Sequence, residues 1–406
     1  MEIITPEEVG MNGERLKRIS RHLKTRYIEP GKIAGCTTLV ARKGKVCYLE
    51  SLGNADRERE TPMDTDTIFR IYSMTKPITS VAVMMLYEQG LLALKDPVHR
   101  FLPEFKKLRV YQTGAYPAFM STPTNRPMTI KDLLTHTSGL TYDFIRSTNV
   151  DYAYRKMKIG TWAEGDTTET LIEKLAQVPL EFNPGEKWNY SLSVDVLGRI
   201  VEVISGMSLR DYFKEFILDP LGMKDTDFEI SSDKTSRFAA CYERTMKKEL
   251  RLQDDPLDSA FANRTFYSGG GGLVSTISDY YQFCSMLLNG GSLNGVRILG
   301  PRTVEYMTQN HLPGNVDLAE FATGQFSETS YEGIGFGLGF ATKINAAKNA
   351  SLGSEGEFYW GGAASTIFWI DPKDELIVIF LTQLMPSALY DFRGQIQSIV
   401  CSSIDA

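Results

Sequence analysis

The segment PITSVAVMMLYEQG, residues 77–90, constrains this chain more than any other. It is apolar or small almost all the way round until its end. A helix wetted on one side carries a polar stripe; a helix without one has to lie in the middle of the molecule. Pro77 suits the first turn of such a helix, and Gly90 suits its stop. Burying it takes a large apolar shell, which 406 residues with 42% hydrophobic content supply.

The flanking pattern sets the fold class. An N-terminal helix up to about residue 25 leads into two strand-like runs, GCTTLVA and VCYLES, joined by RKGK in a hairpin. From Lys76 to about Gly222 the pattern is mostly helical, with helices expected at TIKDLLTH, TTETLIEKLAQV, SLSVDVLGRIVEVISG and SLRDYFKEFILDPLG. After about residue 265 come the glycine-rich YSGGGGLVS and a helix at SDYYQFCSMLLNGG. Strands follow at IGFGLGFATKI, ASTIFWIDP and ELIVIFLTQ, and a last helix over roughly Pro386–Ser402. Strands at both ends, helices between them and hairpin-like connections predict an α/β chain of the α+β kind. One antiparallel sheet is built from both termini and packed with helices. Residues 1–75 and 265–406 would form that part, residues 76–264 a mostly helical subdomain, with the active site in the cleft between them.

Charge and composition exclude several functions. The net charge is −6, without a basic stripe or Arg-rich arm, which speaks against nucleic acid. No uncharged apolar run reaches the roughly 18 residues of a membrane helix. The N-terminus, MEIITPEEVGMNGERL, is acidic and lacks an apolar core, so it does not read as a secretory signal. Cys36, Cys47, Cys241, Cys284 and Cys401 show no CxxC spacing and are odd in number, which predicts reduced, buried thiols and a cytoplasmic protein. A two-residue turn at Lys43-Gly44 would pair residue 40 with residue 47, leaving Cys36 about 13 Å along the strand from Cys47, too far for a disulfide. HxxxH, HExxH and GxxxxGK[ST] are absent, so neither a metal nor another cofactor is expected. Gly269–Gly272 reads as a close backbone approach near the cleft, not a phosphate loop.

The candidate chemistry sits at the head of the apolar helix. In Ser73-Met74-Thr75-Lys76, serine and lysine three residues apart share one helical face. A serine hydroxyl needs a base to become a nucleophile, and lysine serves as one when burial disfavours its ammonium form. The helix start also offers N–H groups to an oxyanion. SxxK is a short pattern and recurs as Ser231-Ser232-Asp233-Lys234, but in a polar stretch that would leave its lysine solvated. The purely structural alternative is that Ser73 caps the helix. No GxSxG occurs, which argues against a nucleophile elbow. Of the four histidines, His22, His99, His136 and His311, only His136 is placed to be a Ser-His base, and a buried structural role suits it better.

Read together, these segments resemble the serine β-lactamase and penicillin-binding protein superfamily. Ser73-Met74-Thr75-Lys76 followed by PITSVAVMMLYEQGLLALKDPV resembles its nucleophile helix, and LLTHTSGL at 133–140 the segment after it. PGEKWNYS at 184–191 resembles the segment bearing the second motif, where class C enzymes place a tyrosine. PLGMKDTDF at 220–228 and GGGLVSTISDYYQF at 270–283 are similar to further family segments. Trp360-Gly361-Gly362 occupies the place of the third motif, on the strand edging the site. Two departures stand out: the class C lactamases read Tyr-x-Asn where this chain has Tyr190-Ser191-Leu192, and Lys-Thr-Gly where it has Trp360-Gly361-Gly362. Losing that lysine removes a positive charge suited to a β-lactam carboxylate and adds an apolar wall, favouring neutral acyl esters. The pattern is similar to the family VIII carboxylesterases and to the fungal acyltransferases that acylate a statin precursor.

The resemblance implies a serine hydrolase of small-molecule esters, acylated on Ser73, with Lys76 and Tyr190 as proton relay. It implies an oxyanion hole from the backbone N–H groups of Ser73 and Ala363. Trp360, Gly361, Gly362, Tyr72, Phe144, Tyr267 and Phe358 are expected near the pocket. The competing readings are a β-lactamase or DD-peptidase, an acyltransferase to an alcohol or amine, and a non-catalytic binding protein on the same fold.

Overall fold

The fold is taken from a computed structural model, which describes residues 2–162, 165–324 and 330–405. Its largest element is an eight-stranded antiparallel sheet drawn from both ends of the chain. The N-terminal strands are β1 (Gly35–Arg42), β2 (Lys45–Asp56) and β3 (Thr61–Pro62). The C-terminal ones are β4 (Ile334–Phe336), β5 (Ala341–Lys343), β6 (Phe358–Gly361), β7 (Ile367–Asp371) and β8 (Leu376–Thr382). Their order is β4-β5-β6-β7-β8-β1-β2-β3. The two halves meet at β1 and β8, paired from Cys36–Thr382 to Arg42–Leu376. Every residue of β8 is buried, as its unbroken apolar run LIVIFLT requires of a strand covered on both faces.

The first hairpin turns at Lys43 (φ 52°) and Gly44 (φ 74°), the left-handed pair that matches the strands' twist. Ala41 faces Val46, as a two-residue turn dictates, but a bulge follows: Val40 faces Tyr48, not Cys47. Cys36 lies opposite Leu52, and all five cysteines are free. Burial raises the Cys47 thiol to about 11.

Helix α1 (Thr75–Glu88) is buried from Thr75 through Met84. Helices α2 (Ile130–Leu134), α3 (Ser193–Ser205), α4 (Ile277–Leu288) and α5 (Phe392–Cys401) complete the set that positions the site. Thr129, Thr276 and Asp391 cap α2, α4 and α5 with side-chain hydrogen bonds. The Asp391 cap sets the start of α5 several residues later than Pro386. No helix among the described residues is long and apolar enough to cross a membrane.

Two hairpins lie inside the stretch that reads as mostly helical: Arg109–Ala115 with Ala118–Pro123, and Cys241–Arg244 with Leu250–Asp254. The first is largely exposed on both faces, so it has no apolar alternation to read. IGFGLGFATKI is likewise two short strands, β4 and β5, folded back on each other. The second hairpin anchors the approach to α1. The fully buried Arg70 gives Nε to Asp254 (2.6 Å) and Nη1 to the Ala239 carbonyl (2.5 Å), and stacks 3.8 Å from the Phe238 ring centroid.

Glu181 gives the fold a pH dependence. Burial raises its carboxyl to about 7, while Thr148 Oγ1 donates to it at 2.5 Å. Native Glu181 therefore keeps a proton that the unfolded chain releases near 4.5, and stability falls as pH rises between those values. Glu181→Gln cannot ionise and should match wild type in urea unfolding at pH 4. At pH 8 it should be the more stable, by up to about 3 kcal/mol.

Candidate active site

The chain enters α1 through a short 3-10 turn, Tyr72–Met74. Tyr72 has φ 42°, a left-handed conformation uncommon for a bulky residue. Its ring is held between Trp162 (centroids 6.4 Å apart, stacked) and Phe261 (5.9 Å, edge-on). Ser73 does not cap the helix: the cap position falls on Met74, without a side-chain cap bond. Its Oγ instead accepts two hydrogen bonds, from Lys76 Nζ at 3.1 Å and from the Tyr190 hydroxyl at 2.6 Å. Lys76 is 2% exposed, so its ammonium needs polar neighbours inside the protein. Besides Ser73 it donates to the Gly270 carbonyl at 2.6 Å and lies 4.5 Å from the Tyr190 ring centroid and 5.3 Å from that of Tyr142.

Gly270 is held in turn by Asp195, on the first turn of α3. Its carboxylate accepts the Gly270 N–H at 3.1 Å and the Ser268 hydroxyl at 2.5 Å. A Cβ at Gly270 would stand 2.3 Å from Asp195 Oδ2, so only glycine permits this approach. Burial raises the Asp195 carboxyl, an effect the nearby Lys76 charge opposes. Asp195 is the residue that motif reading passes over. Its signal is a lone carboxylate on the apolar face of SVDVLGRIV, five residues after Tyr190.

Tyr190 is 1% exposed and sits in an aromatic cage. Its ring centroid lies 4.9 Å from His136, 5.1 Å from Tyr142, 5.5 Å from Trp360 and 6.3 Å from Trp188. His136 pairs through Nδ1 with Ser191 Oγ at 3.2 Å. Burial, reinforced by the Lys76 charge, drives its pKa well below the ordinary value and keeps the ring neutral. His136 therefore packs the cage and has no contact to Ser73 of its own. At the second SxxK, Lys234 is ion-paired with Asp225 at 2.9 Å and partly solvated.

Strand β6 brings the third motif to the same place. Its ladder to β5 ends at Ala341–Tyr359, which leaves Trp360 and Gly361 without a strand partner on that side, a local edge inside an eight-stranded sheet. Phe358 and Trp360 point to one face: Phe358 packs on Phe340 (5.2 Å), Trp360 on Tyr190 and Phe336. A Cβ on Gly362 would lie 2.4 Å from the Ile71 carbonyl oxygen, so this glycine lets the strand end abut the nucleophile turn. Ala363 follows in the next turn. Tyr72 adjoins Ser73 in the chain. Phe144 is 48% exposed and stacks on Tyr142 at 4.6 Å. Tyr267 packs on Phe228 (5.3 Å) and is not among the Ser73 contacts. A cavity of about 1000 Å³ lies on the other side of β6, lined by Tyr359, Gly361 and Arg393; Ser73, Lys76 and Tyr190 do not line it.

A sheet closed by both termini, a buried helix headed by Ser-x-x-Lys and a tyrosine on the serine together define the fold of the serine β-lactamase and penicillin-binding protein superfamily. The Beta-lactamase family model matches residues 21–397, and the chain belongs to that family. Esterase EstB of Burkholderia gladioli is 31% identical over 86% of each chain. Monacolin J acid methylbutanoyltransferase of Aspergillus terreus is 28% identical over 80% of this chain and 79% of its own. The solved structure of EstCE1, a hydrolase with promiscuous acyltransferase activity, superposes with a TM-score of 0.78 at 28% identity, covering 99% of both chains.

The Gly362 contact can be tested directly. Gly362→Ala places a methyl against backbone, which cannot swing aside. It should cost about 1–3 kcal/mol in urea unfolding, whereas an alanine at the open Gly324 should change nothing measurable.

Proposed function

We propose that this protein is a carboxylesterase that works through an acyl-enzyme on Ser73. The observation that carries the reading is the convergence of Lys76 Nζ and the Tyr190 hydroxyl on one serine oxygen, at 3.1 and 2.6 Å. In the reactive form the Lys76–Tyr190 pair holds one proton fewer. As Ser73 Oγ bonds to the ester carbonyl, the pair takes the hydroxyl proton and passes it to the departing alcohol. Water then enters by the same route in reverse roles and frees the acid. The N–H groups of Ser73 and Ala363 would receive the oxyanion, a role supported by the close approach of the Gly362 turn to Ile71. Trp360 would form an apolar wall where a β-lactamase has its lysine, which favours esters over penicillins.

A second reading, acyl transfer to an alcohol, is favoured by the transferase among the relatives and by the promiscuity in the EstCE1 description. Both readings share the acyl-enzyme and differ only in what accepts the acyl group.

Ser73→Ala should abolish p-nitrophenyl butyrate hydrolysis and fluorophosphonate labelling, while Ser231→Ala should retain both; loss with Ser231→Ala alone would overturn the assignment. Tyr190→Phe should lower kcat roughly 10²–10⁴-fold. Product analysis with added butanol separates hydrolysis from transfer, and rapid nitrocefin turnover would instead favour the β-lactamase reading.

A further inference from the structure

Among the described residues, Arg264 is a cation near the nucleophile turn that forms no ion pair. Its guanidinium carbon lies 4.1 Å from the Phe261 ring centroid and 4.6 Å from that of Trp162. Its Nε is buried and has no hydrogen-bond partner, and no carboxylate among the described residues pairs with it. The carboxylate that acts on it, Asp254, is already taken: Oδ2 accepts from Arg70 Nε at 2.6 Å and from Ser259 Oγ at 2.9 Å. Burial lowers the Arg264 pKa to about 10, which still leaves it charged at neutral pH. Two aromatic faces compensate part of the lost hydration, but they leave the buried Nε–H of this half-buried side chain without a partner.

The same two rings tie Arg264 to Ser73. Phe261 and Trp162 hold Tyr72, the residue before the serine. A point one bond out from Gly271 Cα would touch the Trp162 indole at 3.4 Å and the Tyr72 carbonyl carbon at 3.7 Å. Gly271 follows Gly270, whose carbonyl holds Lys76. The guanidinium thus packs on the same two rings that hold Tyr72, the neighbour of Ser73. The third motif offers Trp360, which carries no charge.

We propose that Arg264 is an anion subsite of the ester site, and that the substrate carries a carboxylate in its acyl part, a few carbons from the scissile carbonyl. This rests on the esterase reading for its chemistry, but the subsite itself can be tested without turnover. A carboxylate completes the guanidinium's hydrogen bonds with two parallel N–H···O contacts, a geometry lysine cannot reproduce.

The test compares kcat/KM for mono-p-nitrophenyl adipate with that for p-nitrophenyl butyrate. In Arg264→Gln the adipate-to-butyrate ratio should fall roughly tenfold or more, chiefly through KM, with part of it recovered in Arg264→Lys. An unchanged ratio would overturn the subsite and leave Arg264 as packing for its two rings. Calorimetry of monobutyl adipate on Ser73→Ala protein reads the same contact without chemistry. Binding that weakens when Arg264→Gln is added supports the subsite; equal affinity, or no binding, overturns it. Wild type that binds monobutyl adipate but hydrolyses neither ester would defeat the esterase reading alone.

Discussion

The structure depends on keeping one ammonium group inside a helix that is otherwise apolar. Lys76 is almost wholly out of water, and an unpartnered charge there would cost more free energy than a domain of this size has to spare. It is met by Ser73 Oγ, the Gly270 carbonyl and the faces of Tyr190 and Tyr142. Each of these comes from a different part of the chain. The Gly270 carbonyl is aimed by a peptide whose N–H is bound to Asp195, and Asp195 is placed by α3 packing across α1. Deletion of any one of these supports would remove part of what holds Lys76 against the serine.

The walls around that point differ in kind. Tyr190 is held by rings on several sides, so its hydroxyl has little freedom except toward Ser73. Beta strand β6 closes one side with Trp360 and, through Gly362, touches the turn that carries the nucleophile. Tyr72, the residue before the serine, packs between Trp162 and Phe261, with the Arg264 guanidinium lying against the last two. Tyr72 pays for this placement with a left-handed backbone, held by the ring packing around it.

Much of this was legible in the residues because it is local. The all-round apolar character of 77–88 marks a buried helix, the Lys43-Gly44 turn marks a hairpin, and Ser73 and Lys76 lie one turn apart whatever else the chain does. The pattern failed where its physical basis is absent. The hairpin at 109–123 is exposed on both faces and carries no periodicity. The Cys47 bulge is a one-residue slip that no composition signals. Tyr267 adjoins the glycine-rich motif in sequence, yet its ring packs on Phe228.

The sequence by itself therefore determined that a serine and a lysine share one face at the head of a buried helix, and that strands from both ends form the sheet around it. Both follow from short-range geometry and hydrophobic periodicity. Only the tertiary structure decided that Tyr190, 117 residues beyond Ser73, reaches the same oxygen, that Asp195 steadies the peptide holding Lys76, and that Arg264 packs on the rings around Tyr72 with its Nε unpartnered. Those are contacts between segments far apart in the chain, set by which apolar surfaces pack together, and spacing along a sequence does not encode them.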